Sequence, residues 1–345
     1  MAALEAIRLL GYPLDRIVHA EVWATDTIPA DLPPMVEFKS KADKIIKQRY
    51  GIDVEHICAV RGGRTPRKGS NEHCIGCDDA ESCGATEKLT YEKMFYHIPQ
   101  RKPGGKFAQG SPNGFPLTKG AWCNDRLKTN ALDAISRGGG AMDNYWISCS
   151  RSSVVQRETQ AELSTAFQYQ SVEGIGARDS RRVFSRLPAD TTGKKTNIVQ
   201  YLGIAADEPE RIKRHTKNGI ILPLVDINWD EAYCRQWCEE NDLLSPIYST
   251  AQRGGCWFCH NQGVDQLRLL RKNYPDLWGL LLKWDLDSPT SFKSDGHTVH
   301  DYELRFRLED LGKVPTDRKF RWNMVYKELE RMLNINASEN QETEP

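Results

Sequence analysis

The chain has no long hydrophobic run. None of its segments approaches the roughly 18 apolar residues that a membrane-spanning helix needs. Its first residues, Met1 to Arg8, carry neither the basic start nor the extended apolar stretch of a secretory leader. Both absences point to a cytoplasmic protein. Excess charge of either sign is also missing, since 47 Lys and Arg stand against 47 Asp and Glu. That balance argues against a large non-specific nucleic-acid footprint and leaves room only for a local basic patch. No internal repeat divides the chain. Its 345 residues are enough to bury a full core in one or two domains.

Cysteine is not scarce. There are ten, and in a chain of this size and compartment structural disulfides are not expected. Two groups have metal-like spacing, and the others read as buried thiols.

Hydrophobic periodicity organises much of the chain. Leu4, Ile7, Leu9 and Leu10 predict an opening helix stopped at Gly11-Tyr12-Pro13. Arg16 to Ala24 reads as a buried strand ending at Thr25-Asp26-Thr27, a polar strand end of the kind where open α/β sheets take ligands. A helix over Met35 to Tyr50, closed by Gly51, and a strand over Val54 to Val60 complete a βαβ pattern. Residues 61–86 and 137–196 read as insertions. Tyr91 to Ile98 is ordered, and Cys123 to Ile135 predicts a helix. Asn197 to Ile204 and Ile220 to Val225 predict strands. Helices are expected around Glu208 to His215, over Asp230 to Asn241 with Asn228 or Asp230 at the N-cap, over Leu267 to Lys283 and over Tyr326 to Leu333. The tail from Asn334 is polar and acidic, with the composition of a disordered segment. The expected organisation is an α/β domain over 1–285, a helical extension over 286–333 and a disordered tail over 334–345.

The strongest local signal is Gly254-Gly255-Cys256-Trp257-Phe258-Cys259. Two thiols separated by two residues can face one ion, and thiolates hold Zn²⁺ or iron–sulfur clusters. A redox dithiol or a pair of buried thiols gives the same spacing. Cys123, in Trp122-Cys123-Asn124-Asp125-Arg126-Leu127-Lys128, supplies a third ligand at a helix start, where the dipole favours a thiolate. Three cysteines suit a [4Fe–4S] cluster with one open iron, or a Zn²⁺ whose fourth ligand comes from an insertion. His73, Cys74, Cys77 and Cys83 could hold a second, structural zinc, or could be unliganded thiols in a loop. The segment Tyr201 to Arg211 runs from a strand into an acid–Arg turn. There Glu208 and Arg211, with Arg214, either edge an anion site or simply open a helix. Arg126 and Lys128 could meet an anion too, or form a solvated helix face. His260 and His297 read as ordinary structural histidines.

Taken together, these segments resemble the phosphoadenosine phosphosulfate (PAPS) reductase-like family of the adenine nucleotide α-hydrolase-like superfamily. The resemblance rests on Val22 to Thr27 with Glu37-Phe38, on Trp122-Cys123 to Leu127-Lys128, and on Tyr201 to Arg211. It continues through Leu222-Pro223-Leu224, Trp229-Asp230-Glu231, Asn241, Pro246-Ile247-Tyr248 and Gly255-Cys256-x-x-Cys259, in that order. It spans most of residues 14–60 and 90–285 outside the insertions. Tyr91 to Tyr96, Gly114-Phe115-Pro116 and Arg268 to Trp278 resemble a phage- and mobile-element-type branch. The resemblance implies a twisted parallel sheet flanked by helices and a C-terminal cysteine lobe. It also implies an adenine-nucleotide substrate lined by Asp26 and Thr27, with Arg126, Lys128, Glu208 and Arg211 at its anionic part. Cys123, Cys256 and Cys259 would then hold a cluster or zinc.

Three departures shape the expectation. The family's Ser-Gly-Gly-x-Asp-Ser-type phosphate turn is missing, so Met1 is expected to be an internal methionine with the true start upstream. No cysteine follows Met332, where assimilatory reductases carry their nucleophile. Trp122-Cys123 stands where iron–sulfur members have a Cys-Cys pair. The expected function is PAPS reductase-like sulfur chemistry. The alternatives are a nucleic-acid sulfurtransferase working through an adenylated intermediate, with Arg178, Arg181, Arg182 and Arg186 as its basic patch, and a non-catalytic zinc-stapled binding module.

Overall fold

A computed structural model of the protein describes residues 1–61, 87–99, 101, 103–104, 107–116, 121–129, 131–132, 146–148, 199–216, 220–249 and 254–341. The fold is mixed α/β. It forms two compact units, one made of Met1–His97 with Ala121–Cys259, the other of Ile98–Gly120 with His260–Pro345.

In the first unit, α1 (Ala2–Leu10) ends at Gly11, whose φ of 67° supplies the left-handed cap. Its small buried face, Ala2 and Ala6, packs with Leu224, Trp237 and Leu243. Leu9, expected on the apolar face, is turned to solvent. Strand β1 (Ile17–Ala20) leads to α2 (Pro33–Tyr50), which starts on prolines that need no N–H partner and ends at Gly51. Strand β2 (Val54–Arg61) returns parallel to β1, in register from Ile17 with Val54 to Ala20 with Ile57. Ile57, Cys58 and Ala59 are all buried, the pattern of a strand covered on both faces.

The rest of the sheet differs from the expected parallel order. Strands β3 (Glu87–Lys88) and β4 (Trp146–Ser148) both pair antiparallel with β2. Strand β4 lies inside 137–196, so part of that insertion joins the sheet. The strand predicted over Arg16 to Ala24 stops at Ala20, because the chain folds back and Trp23 bridges Pro29. The strands predicted over 197–204 and 220–225 reduce to one parallel bridge, Tyr201 with Ile221. Pro223 instead opens the short helix α6 (Pro223–Asp226), since its fixed φ suits a first helical turn.

Helix α3 (Tyr91–Tyr96) is capped by Thr90, whose hydroxyl accepts from Lys93 N. Helix α4 (Trp122–Asn124) is only one turn and passes into a π-helical turn, Asp125–Thr129; residues 131–132 are helical, and the end of the helix expected to Ile135 lies outside the described residues. Helices α5 (Pro209–Thr216) and α7 (Glu231–Glu240) lie close to expectation, and Asp230, not Asn228, caps α7. Asn228 takes a positive φ of 55°.

The second unit contains four helices among its described residues: α8 (Val264–Asn273), α9 (Pro275–Asp287), α10 (Val299–Asp310) and α11 (Trp322–Gln341). The single helix predicted over Leu267 to Lys283 is broken at Tyr274, because Pro275 cannot donate to the preceding turn. Helix α11 runs past Asn334, through part of the segment whose composition suggested a disordered tail. Leu277, Leu281, Trp284 and Phe306 fill the core.

Gly114 locks residues 107–116 onto the turn after α9. Phe115 N donates to Ser288 Oγ at 3.1 Å, and Thr290 Oγ1 donates to Phe115 O at 2.9 Å. A Cβ on Gly114 would lie 2.5 Å from Pro289 Cδ and 2.6 Å from Ser288 Oγ, and its φ is 66°. Gly114→Ala should therefore cost about 1–3 kcal/mol, the range for overpacking a filled site. Gly104→Ala, with similar φ and open space around it, should cost only the backbone part. Urea denaturation of the two variants measures the difference.

Candidate functional site

The site begins where β1 ends. Residues 22–30 form a tight loop. Ala30 N donates to Val22 O, and Ala24 N and Thr25 N both donate to Ile28 O. Thr25 Oγ1 accepts from Thr27 N and Ile28 N at 3.3 and 3.0 Å, a hydroxyl-closed turn. One side of the loop carries α3, because Tyr91 N and Glu92 N donate to Trp23 O and Ala24 O. The other carries the Cys-x-x-Cys turn. Trp257 N donates to Ala30 O at 2.9 Å, and its indole N–H donates to Pro29 O at 3.0 Å.

These contacts converge on Tyr91, which is 1% exposed. Its ring packs 4.1 Å from that of Phe258 and 5.0 Å from that of Trp122. Cys123 follows Trp122, and Cys256 and Cys259 flank Trp257 and Phe258, so the aromatic stack brings the three cysteines into one neighbourhood. Cys259 N donates to Cys256 O at 3.0 Å, which sets the turn between that pair.

The thiols sense one another. Burial pushes the Cys256 thiol up to about 12; Lys128 opposes that rise, while Cys259, Asp31 and Cys123 add to it. Burial also raises the Cys123 thiol, with Cys259 adding to it, against Lys128 and the backbone N–H groups of Asn124 and Cys123. At the start of α4 burial thus outweighs the backbone N–H donors, and the Cys123 thiol lies above its ordinary value instead of below it. Tyr91 is held well above the usual phenol range, first by burial and then by the three cysteines.

In kind, this donor set fits a thiophilic metal: three thiols whose ionisation is costly until a cation joins them. In spacing it does not close on one. Among the described residues, no three His, Cys, Asp or Glu side chains gather as a metal site. His73, Cys74, Cys77 and Cys83 lie outside the described residues, as do Arg178, Arg181, Arg182 and Arg186.

The anion-binding residues read from the sequence separate into groups. Lys128 stands by the thiols. Arg126 turns to Asp125 at 3.5 Å. Glu208 accepts from Ala205 N and binds Arg211 through both its oxygens, so this pair closes the start of α5. Asp26 and Thr27 sit at the tip of the 22–30 loop, where Asp26 pairs with Lys93.

A polar network beneath the sheet escaped the sequence reading. Glu21, with its side chain 8% exposed, lies 3.0 Å from His56 Nδ1, and His56 Nε2 lies 2.9 Å from Asp43. Lys39 bonds Asp31 and reaches His19 Nε2 at 2.9 Å and Glu21 at 3.5 Å. Asp31 in turn acts on Cys256. The signal that was available is the alternation of His19 and Glu21, polar residues sharing one face of an otherwise apolar strand.

The chain matches no family model, no curated protein and no solved structure.

Proposed function

We propose that this protein is an enzyme of the PAPS reductase type, carrying out adenine-nucleotide-dependent sulfur chemistry at a cysteine site built from Cys123, Cys256 and Cys259. The observation that carries the reading is the meeting of Cys123 with the Cys-x-x-Cys turn around buried Tyr91, with Lys128 beside them. Two lone signals far apart in sequence thus share one neighbourhood, which supports the site that the resemblance implies. The parallel β1–α2–β2 unit and the parallel bridge between Tyr201 and Ile221 are in keeping with an adenine nucleotide α-hydrolase-like scaffold.

In this reading the three thiols, which do not close on an ion as they stand, would draw together around a [4Fe–4S] cluster or Zn²⁺. A cluster there would supply electron transfer or an open iron, and zinc a structural tie. Lys128 lowers the cost of carrying negative sulfur in a buried setting and meets the substrate's anionic part. The Tyr91–Phe258–Trp122 stack gives the half-buried thiols an apolar wall. Asp26 and Thr27 line the nucleotide at the strand end.

Anaerobic purification tests the proposal. Brown protein containing iron and labile sulfide is the expected result. Colourless protein with stoichiometric zinc would favour the binding module, and protein with neither would overturn the metal site. Release of pyrophosphate from ATP in the presence of a nucleic acid would instead indicate an adenylating sulfurtransferase.

A further inference from the structure

We propose that Cys234 and Cys238, one turn apart on α7, form a two-sulfur site for a soft, two-coordinate cation, monovalent copper. The site is distinct from the thiols at Cys123, Cys256 and Cys259, and it does not depend on the function proposed for them.

Residues four apart on an α-helix lie on one face, one above the other. Helix α7 holds this pair firmly. Its N-cap residue Asp230 accepts from Tyr233 N at 2.7 Å, and Cys234 N donates to Asp230 O at 3.0 Å. At the other end Asn241 Nδ2 donates to Trp237 O at 2.8 Å. Both cysteines pack against the core cluster of Ala2, Ala6, Leu224, Trp237 and Leu243. Both are half-buried, and neither is in a disulfide. The sulfurs therefore line an apolar seam that solvent still reaches. Burial pushes the Cys234 thiol up to about 11, and Cys238 is the next cause, ahead of Asp230, so each sulfur lies within the field of the other.

Spacing and donor number select the ligand. Cβ atoms four residues apart on a helix stand about 5–6 Å from each other. A disulfide needs about 3.5–4.5 Å, so the two thiols cannot join without unwinding α7. An ion between two sulfurs, with metal–thiolate bonds of about 2.3 Å, spans up to about 4.6 Å from sulfur to sulfur. Two side chains rising from adjacent turns can bracket that span. Among the described residues no three His, Cys, Asp or Glu side chains gather as a metal site, so an ion that needs four protein donors, as structural zinc does, is not served here. The carboxylates that act on Cys234, Asp230 and Asp207, accept from Tyr233 N and Glu231 N. They leave sulfur as the donor and add a negative potential that favours a cation. Among the divalent and monovalent first-row ions, Cu(I) is the one that soft sulfur ligands select at low coordination. Binding is an acid–base exchange. Two Cu–S bonds form, two S–H bonds break, two protons leave to water, and copper stays monovalent.

Anaerobic titration of the full chain with Cu(I), against a chromophoric Cu(I) chelator, tests the site. Other thiols in the chain also take copper, so the site is read as a difference between variants. Cys234→Ala and Cys238→Ala should each remove one equivalent of tightly held copper. The affinity loss at that site should be about 100-fold or more, since losing a group that only orients a ligand already costs 10- to 100-fold. The double variant should lose no more than either single one, because both sulfurs serve one ion. Alanine keeps the seam apolar, and circular dichroism melts show that each variant is folded. Unchanged copper binding in both single variants would make the pair plain core filler and overturns the inference, as does a double variant that loses two equivalents. A Cys234–Cys238 disulfide formed on mild oxidation of the unmodified chain, mapped by peptide mass spectrometry, overturns it too. Iron and zinc are measured in the same protein as purified. If both are absent while one copper equivalent follows Cys234 and Cys238, the metal reading of Cys123, Cys256 and Cys259 falls and this site stands.

Discussion

On the proposed function, Cys256→Ser is expected to reduce affinity for a metal or cluster by more than about 100-fold. Loss of a group that merely orients a metal ligand already costs 10- to 100-fold, and Cys256 would be a ligand itself. Serine keeps the size of the side chain and removes the thiolate. The same site predicts a pH dependence. With the Cys256 thiol pushed up to about 12, a metal must displace a proton to bind it at neutral pH. Apparent affinity should therefore rise as pH rises through the neutral range, and proton release should accompany binding. In Cys256→Ser both the affinity and that proton release should fall. Cys58→Ser is the control, since that thiol is buried in β2. Metal analysis and a competing chelator, across a pH series, give the readout. Equal metal content in Cys256→Ser and the unmodified protein would remove Cys256 from the site.

Glu309→Ala should destabilise the second unit by about 3–5 kcal/mol, the range for breaking a buried ion pair by removing one partner. Glu309 has only 2% of its side chain exposed. It accepts from Arg268 Nε at 2.9 Å and Nη2 at 3.1 Å, and from Arg305 Nε at 2.7 Å. Arg305 is itself pinned, its guanidinium carbon 3.4 Å from the centre of the Phe320 ring. Arg305, with 8% of its side chain exposed, cannot readily reach water once the carboxylate is gone, whereas Arg268, 28% exposed, keeps its pair with Asp265. Glu309→Gln keeps an acceptor and the side-chain volume, so it should cost less. Glu328→Ala, which breaks an exposed pair with Arg331 on α11, should leave the midpoint nearly unchanged. Urea denaturation followed by circular dichroism ranks the three, and an equal loss in all of them would contradict the account.

Much of the local structure was legible from residues alone. Gly11 and Gly51 end α1 and α2 where expected, and Asp230 caps α7, because caps and left-handed turns depend on neighbours within a few residues. The α2 crossover between two apolar strands was readable for the same reason. Cys256 and Cys259 stood out as a candidate site through their spacing. Errors arose where one local preference competed with another. At 220–225 the apolar run reads as a strand, yet Pro223 starts a helix. At 267–283 the helical period is continuous, yet Pro275 interrupts it. The antiparallel places of β3 and β4 were not legible, since strand pairing across a long separation leaves no local trace.

The sequence by itself determined which reactive groups the protein carries: thiols at a spacing that could suit a metal, a polar strand end and a balanced charge. Tertiary structure decided which of those groups meet. It joined Cys123 to the Cys-x-x-Cys turn through the ring of Tyr91, kept Arg211 for Glu208, and set Lys88 and Lys93 against Asp26. Caps and turns are short-range hydrogen bonds that adjacent residues specify. The meeting of ammoniums with a carboxylate more than sixty residues away in the chain depends on how the sheet and α3 are packed, and periodicity carries no record of that.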